Sequence, residues 1–442
     1  MYKRNILIIL ILCVLVLAGC SKEEKKKKVI LKYDEVTRAT LGPNEGKDPK
    51  KTIGFDGEMI SLGVITPQSG DSGYLGNVIK IGNQTYWDAK NYSGGVAGRY
   101  KVKLISKDSA NESSYDKELS ISAYDELSKE VVAFQQIMGD DVILALKNKQ
   151  LKNKQLIVPT SFSNSWVRNP LVLPVANTYT TQAINGVGYY LSKKDTNIIR
   201  VCSLTLNDSY GNDADSGIDY VVKKYDVNYP SKQKFNSGEN ITSKVEKLVA
   251  EKCDSVLFTG SFHDINSVLK VFASKASKID IIGLSPSWIP EVDLTLDQAT
   301  RQYALEHFYV VSSGASWGDT NVPGMKKMMQ DIGIFKPNQT SNQNFILGYV
   351  QAWAMDQVLE KAVANGDLSP EGVTKALSNV DTLSFEGLYP AYEFGPNSKS
   401  RVVPEPNSIY MYTTTKPSYL MPAGENSINY ADKYSSEYKY GK

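Results

Sequence analysis

From Met59 onward, short apolar runs alternate with longer stretches whose apolar residues recur at helical spacing. Met59–Thr66, Tyr100–Ile105, Val131–Phe134 and Leu156–Val158 read as strands, because they are rich in Ile, Leu and Val and are bounded by turn residues. Segments near 78–90, 115–127 and from about Val142 read as the intervening helices. The alternation then repeats, with helix 178–191, strand 198–206, helix 213–224, strand 228–235, helix 241–251, strand 255–259, helix 264–274 and strand 279–283. Strands separated by helices pair in parallel through crossovers, so the pattern predicts an α/β fold of doubly wound parallel sheets. Two similar halves imply two lobes with a cleft between them.

In such sheets ligands sit beyond the carboxyl ends of the strands, where the strand order reverses. The loop Pro67–Gly76, with glycines at 70, 73 and 76, is therefore the first candidate wall. Its spacing is GxxGxxG, not GxGxxG, so a dinucleotide site has no support. Catalysis has little to stand on either. The two histidines, His263 and His307, lie in neither an HExxH nor a GxSxG setting, and Cys and His spacing offers no zinc site. No catalytic residue, metal or cofactor is expected.

The N-terminus adds a location. Lys3 and Arg4 precede an apolar core from Ile6 to Leu17, too short to span a bilayer, and Leu17-Ala18-Gly19-Cys20 looks like a bacterial lipobox. Residues 1–20 are read as a lipoprotein signal, Cys20 as the lipidated residue, and 21–58 as a tether whose random-coil reach is roughly 35 Å. The net charge of +2 belongs to Lys3 and Arg4, so the remainder is neutral and nothing points to nucleic acid. Of the four cysteines, Cys202 and Cys253 lie outside the signal; one falls within a strand and the other just before another, and two free thiols are expected. Residues 426–442, with Tyr430, Tyr434, Tyr438 and Tyr440, read as a flexible tail.

The order SLGVITPQSG, NYSGGVAGRYKVKLISKD, LNDSYGNDADSG, VLFTGSFHD and FEGLYPAYEFGPN resembles the leucine/isoleucine/valine-binding protein family, the type I periplasmic solute-binding proteins of ABC transporters. The resemblance runs from about Met59 to Asn397. It implies a clamp, monomeric and without chemistry of its own, that captures a small solute and delivers it to a membrane permease. It also implies three crossings between lobes, placed near 172–177, 308–312 and 383–395. Lobe 1 would then be 59–175 with 309–384, and lobe 2 would be 176–308 with 385–425.

Carried over position by position, the resemblance assigns Ser69 and Tyr74 to the first-lobe loop beside the ligand. Thr160 and Ser161 match the segment that holds a ligand carboxylate, with Trp166 in the same loop. Tyr210 matches the second-lobe tyrosine of Asp-Ser-Tyr-Gly, and Phe262 a second aromatic. Two departures stand out. Where the family has Gly-Pro and serines, this chain has Gln135–Asp141, of which Gly139 is retained as a candidate; Asp140 or Asp141 is expected to cap the next helix, and would repel a carboxylate if it faced the cleft. Where an acidic residue normally pairs with a ligand amine, the chain reads Leu284–Trp288, with Ser285 as the candidate. An amino-acid-like, amide or carboxylic solute is expected. A ligand-sensing receptor partner and a structural envelope lipoprotein of the same fold are the alternatives.

Overall fold

The structure is a computed structural model that describes residues 48–70, 72–111, 115–194, 199–275, 277–340, 342–424 and 428–432. The signal, Cys20, the tether as far as residue 47 and the tail beyond residue 432 lie outside the described residues. Strands β1 (Met59–Thr66), β2 (Lys101–Asp108), β3 (Ala133–Ile137) and β4 (Ile157–Pro159) form an all-parallel sheet in the order β2-β1-β3-β4. Strand β1 is buried at every position after Met59, as a continuous apolar run in a central parallel strand must be.

The second sheet repeats the plan. Strands β5 (Val201–Leu206), β6 (Lys232–Phe235), β7 (Ser255–Phe258), β8 (Asp280–Gly283) and β9 (Phe308–Ser312) run parallel in the order β6-β5-β7-β8-β9. A ribbon of β10 (Thr382–Leu383) and β11 (Tyr392–Glu393) follows. The chain then returns as β12 (Ser408–Tyr412) and β13 (Leu420–Pro422), which extend the second sheet antiparallel beyond β9. Each sheet defines one lobe.

Phe308–Ser312, expected as a crossing, is instead a strand of the second sheet, and the chain leaves that sheet after Ser312. The three crossings are tied together by two buried amides. Asn177 donates to the carbonyls of Pro404 and Pro406 at 2.6 and 3.0 Å, and Asn407 donates to the Ser312 carbonyl at 3.1 Å. Order extends further than expected at both ends. Phe55 is buried with its ring edge-on to Tyr100 at 5.1 Å, so residues just before β1 pack on the first lobe and are not tether. Tyr430 donates its N–H to Asn185 at 2.7 Å and Ala431 is buried, so the chain stays packed past residue 426.

The cysteines are bonded to each other, not free: the Cys202–Cys253 disulfide closes a Cα–Cα separation of 5.9 Å. Register pairs Cys202 with Val256, three residues beyond Cys253. Lys252 adopts a positive φ of 53° in the turn ahead of β7, and Cys253 follows it directly. In the first lobe, helix Gly73–Tyr92 packs on helix Gln343–Ala364, which places the N-terminal ends of both beside the cleft. Glycines make the approach possible, because a Cβ at Gly82 would lie 2.2 Å from the Phe345 carbonyl oxygen and one at Gly348 2.0 Å from that of Ile79. Among the described residues no helix is long and apolar enough to cross a membrane.

Candidate functional site

A cavity of about 440 Å³ lies where the carboxyl ends of the two sheets face each other. The first lobe contributes Leu75 and Ile79, the turn Met138–Asp141 after β3, the segment Thr160–Phe162 after β4, and the helix start at Gln343, Asn344 and Leu347. From the second lobe come Tyr179, Asp208–Tyr210 after β5, and Ser285 and Pro286 after β8. Tyr115 and Tyr389 complete the wall. The position is the one open α/β sheets provide, beyond strand ends where the order reverses.

Five of the nine candidates meet there: Gly139, Thr160, Ser161, Tyr210 and Ser285. Thr160 turns out of β4, and its hydroxyl oxygen is shielded from solvent without a hydrogen bond. Ser161 Oγ accepts from the Trp166 indole N–H at 2.7 Å. Trp166 itself is buried beneath the wall, so it positions Ser161 and does not line the cavity. Tyr210 packs against Tyr179 with ring centroids 4.1 Å apart and planes tilted by 37°, both buried, and its hydroxyl is shielded from solvent without a hydrogen bond. It lines the cavity beside Ser209. Ser285 Oγ donates to Gln182 Oε1 at 2.9 Å.

Three candidates sit elsewhere for definite reasons. Ser69 donates to Asp108 Oδ2 at 2.6 Å and Gln68 N–H donates to Oδ1 at 2.8 Å, which ties this loop outward to the end of β2. Tyr74 crosses to the other lobe at the rim, where its hydroxyl donates to Glu291 at 2.5 Å and accepts from Asn342 at 2.9 Å. Phe262 packs beside it, ring centroids 6.4 Å apart. The pair forms a contact between lobes, not a cavity wall.

The expected helix cap after β3 is not made by an aspartate. Gly139 is the N-cap of helix Asp140–Asn153, with φ 101° and no side-chain cap bond. A Cβ there would lie 2.6 Å from the Tyr115 ring. This positive-φ turn starts the helix with Asp140 and Asp141 both facing the cleft. Asp140 Oδ2 accepts from Ser209 of the second lobe at 2.6 Å, while Asp141 accepts from the Tyr115 hydroxyl at 2.9 Å. Asp208 caps the helix Ser209–Tyr225 through the Gly211 N–H at 2.9 Å and completes an acidic wall. Burial raises the carboxyls of Asp140 and Asp208 above the ordinary range. It pushes Asp213, just behind the wall, up to about 6, with the Asn164 N–H opposing.

Tyr115, Tyr179 and Tyr389 were not singled out in the sequence, because nothing separates them from 27 tyrosines. Asp208 and Ser209 had a signal: they stand in the Asp-Ser-Tyr-Gly motif from which only Tyr210 was chosen. Among the described residues no cluster of His, Cys, Asp and Glu has an arrangement that could hold a metal ion.

Residues 59–410 match the family model described as periplasmic binding protein. Among solved structures, a fatty acid ABC transporter substrate-binding protein from Thermomonospora curvata superposes with a TM-score of 0.78 at 22% identity, covering 90% of this chain and 98% of that one. A branched chain amino acid ABC transporter protein from Thermus thermophilus with bound valine gives 0.72 at 14% identity, covering 86% and 99%. A solute binding protein of an ABC transporter from Rhodopseudomonas palustris BisB5, in complex with 3,4-dihydroxy benzoic acid, gives 0.66 at 18% identity, covering 84% and 97%. No curated protein matches by sequence.

Proposed function

This chain belongs to the periplasmic binding protein family, and on that premise we propose that it is the extracytoplasmic solute-binding lipoprotein of an ABC importer. It captures a small amino-acid-like, amide or carboxylic solute between its lobes and hands it, as a monomer, to a permease in the membrane. The cavity walled from both lobes carries this reading. Contacts to both walls exist together only when the lobes are closed, so a solute that makes them shifts the hinge toward closure. Asp140–Ser209 and Tyr74–Glu291 are the bonds that closure brings together. Lobe boundaries follow the hinge amides: residues 48–176 with 313–403, and 177–312 with 404–432. No step of this function requires chemistry at the cavity.

The disulfide suits an oxidising compartment outside the cytoplasm. Cys20 supplies the anchor, and Cys20→Ala is expected to move the protein out of the lipid-anchored fraction in detergent phase partition. Function is tested by thermal shift of the full-length protein in detergent against amino acids, amides, amines and small acids. A solute at 100 times its Kd stabilises by about 2.7 kcal/mol. A panel that leaves the melting temperature unchanged throughout, with scattering that shows no compaction, contradicts the reading.

A further inference from the structure

We infer that the solute is an organic cation: an ammonium group carried on an apolar or aromatic body, with no carboxylate beside it. This rests on the solute-binding reading above and names the class of solute it takes.

The charges around the cavity point one way. Asp140, Asp141 and Asp208 line it from both lobes, and no Lys, Arg or His is among the described residues that do. Lys234, which acts on Asp208 through space, is itself paired to Asp215 at 2.7 Å. A closed cleft would hold these carboxylates away from water without a counter-charge, an arrangement that a bound cation relieves.

A second observation is independent of the charge count. Asp140 Oδ1 and Thr160 Oγ1 are each shielded from solvent and take no hydrogen bond, and both residues line the cavity. Asp140 Oδ1 can only accept, and Thr160 Oγ1 has lone pairs free, so together they suit the N–H groups of an ammonium. The tilted ring pair of Tyr179 and Tyr210, both lining the cavity, supplies the third element, an aromatic surface for the cation or for the body that carries it.

The same geometry works against an anion. A carboxylate held at Thr160 and Ser161 would sit beside Asp140, since Ser161 is close enough to act on that carboxyl. An ordinary amino acid gains at its ammonium and loses at its carboxylate.

Two matched series isolate the effect. Isothermal titration of the full-length protein in detergent compares isoamylamine, leucine and 4-methylpentanoate, then 2-phenylethylamine, phenylalanine and 3-phenylpropanoate. In at least one series the amine is expected to bind ten times or more tighter than the amino acid, and the acid to bind weakest. Asp140→Asn, which keeps an acceptor for Ser209, is expected to weaken the amine tenfold or more and to narrow its lead over the acid; Asp141→Asn is the second variant should the first fold poorly. An acid or amino acid that binds as tightly as its amine overturns the inference. If amines fail while another solute raises the melting temperature, the cation inference falls and the solute-binding reading stands. If nothing binds and the lobes do not compact, both fall.

Discussion

The loops after β1 and β3 leave neighbouring strands of one sheet at the same end, yet only one of them builds the acidic wall. The β1 loop carries more glycine and seemed the better candidate. Its polar groups turn outward, because Gln68 and Ser69 both donate to Asp108 at the tip of β2. Only Leu75 and Ile79, further along the helix that follows, reach the cavity. The β3 loop is a tighter turn, in which the positive φ of Gly139 starts a helix immediately and leaves two carboxylates facing the cleft. Position at a strand end therefore nominates a loop, and the hydrogen bonds of that loop decide whether its side chains are available to a solute.

The sharpest way to break this contrast is Gly139→Val. The substitution places a branched side chain at φ 101° against the Tyr115 ring. A loss of about 100-fold in solute affinity and of about 2–4 kcal/mol in stability is expected, read by titration and by denaturant unfolding. Retained affinity would mean that the turn is not what presents Asp140.

The acidic wall also predicts a pH dependence. Burial pushes the Asp213 carboxyl from its ordinary 3.8 up to about 6, so the folded state holds the proton more tightly than the unfolded state does. Its contribution is thus favourable at low pH and is lost as pH rises from about 4 to 6, by about 3 kcal/mol. Asp213→Asn preserves an acceptor for the Asn164 N–H and should flatten that part of the profile of melting temperature against pH. Because Asp140 is among the charges that raise Asp213, Asp140→Asn should shift the same slope to lower pH.

A smaller effect is expected at the rim. Tyr74→Phe removes the bonds to Glu291 and Asn342 while keeping the ring against Phe262. Closure should weaken by about 1 kcal/mol, roughly fivefold in Kd. Ser69→Ala closes the series: its bond to Asp108 is exposed and outside the cavity, and affinity should stay within about twofold.

Sequence pattern served best where burial is complete. The bounds of β1 match Met59–Thr66, since a central parallel strand is buried on both faces and mostly apolar. Strand β13 escaped notice at the sheet edge, and β12 beside it because Ser408 and Met411 are only partly buried and the run is short. Of the residues that motif order nominated, Thr160, Ser161 and Tyr210 line the cavity. Trp166 and Ser69 were misplaced, because the sequence does not say whether a loop side chain turns inward, as the Trp166 indole does beneath Ser161, or outward, as Ser69 does to Asp108. The disulfide was missed for a related reason: Cys253 lies in the turn ahead of β7, next to Lys252 at positive φ, and strand register alone does not give its distance from Cys202.

A crystal structure of the protein with its tightest-binding solute tests the placement of the site most directly. The solute is predicted to lie between the lobes, within hydrogen-bond reach of Asp140 and Thr160 and against the Tyr210 ring. Solute density in the separate cavity of about 330 Å³ beside the crossings, lined by Ser313, Tyr389 and Tyr410, with the interlobe cavity left to water, would contradict it.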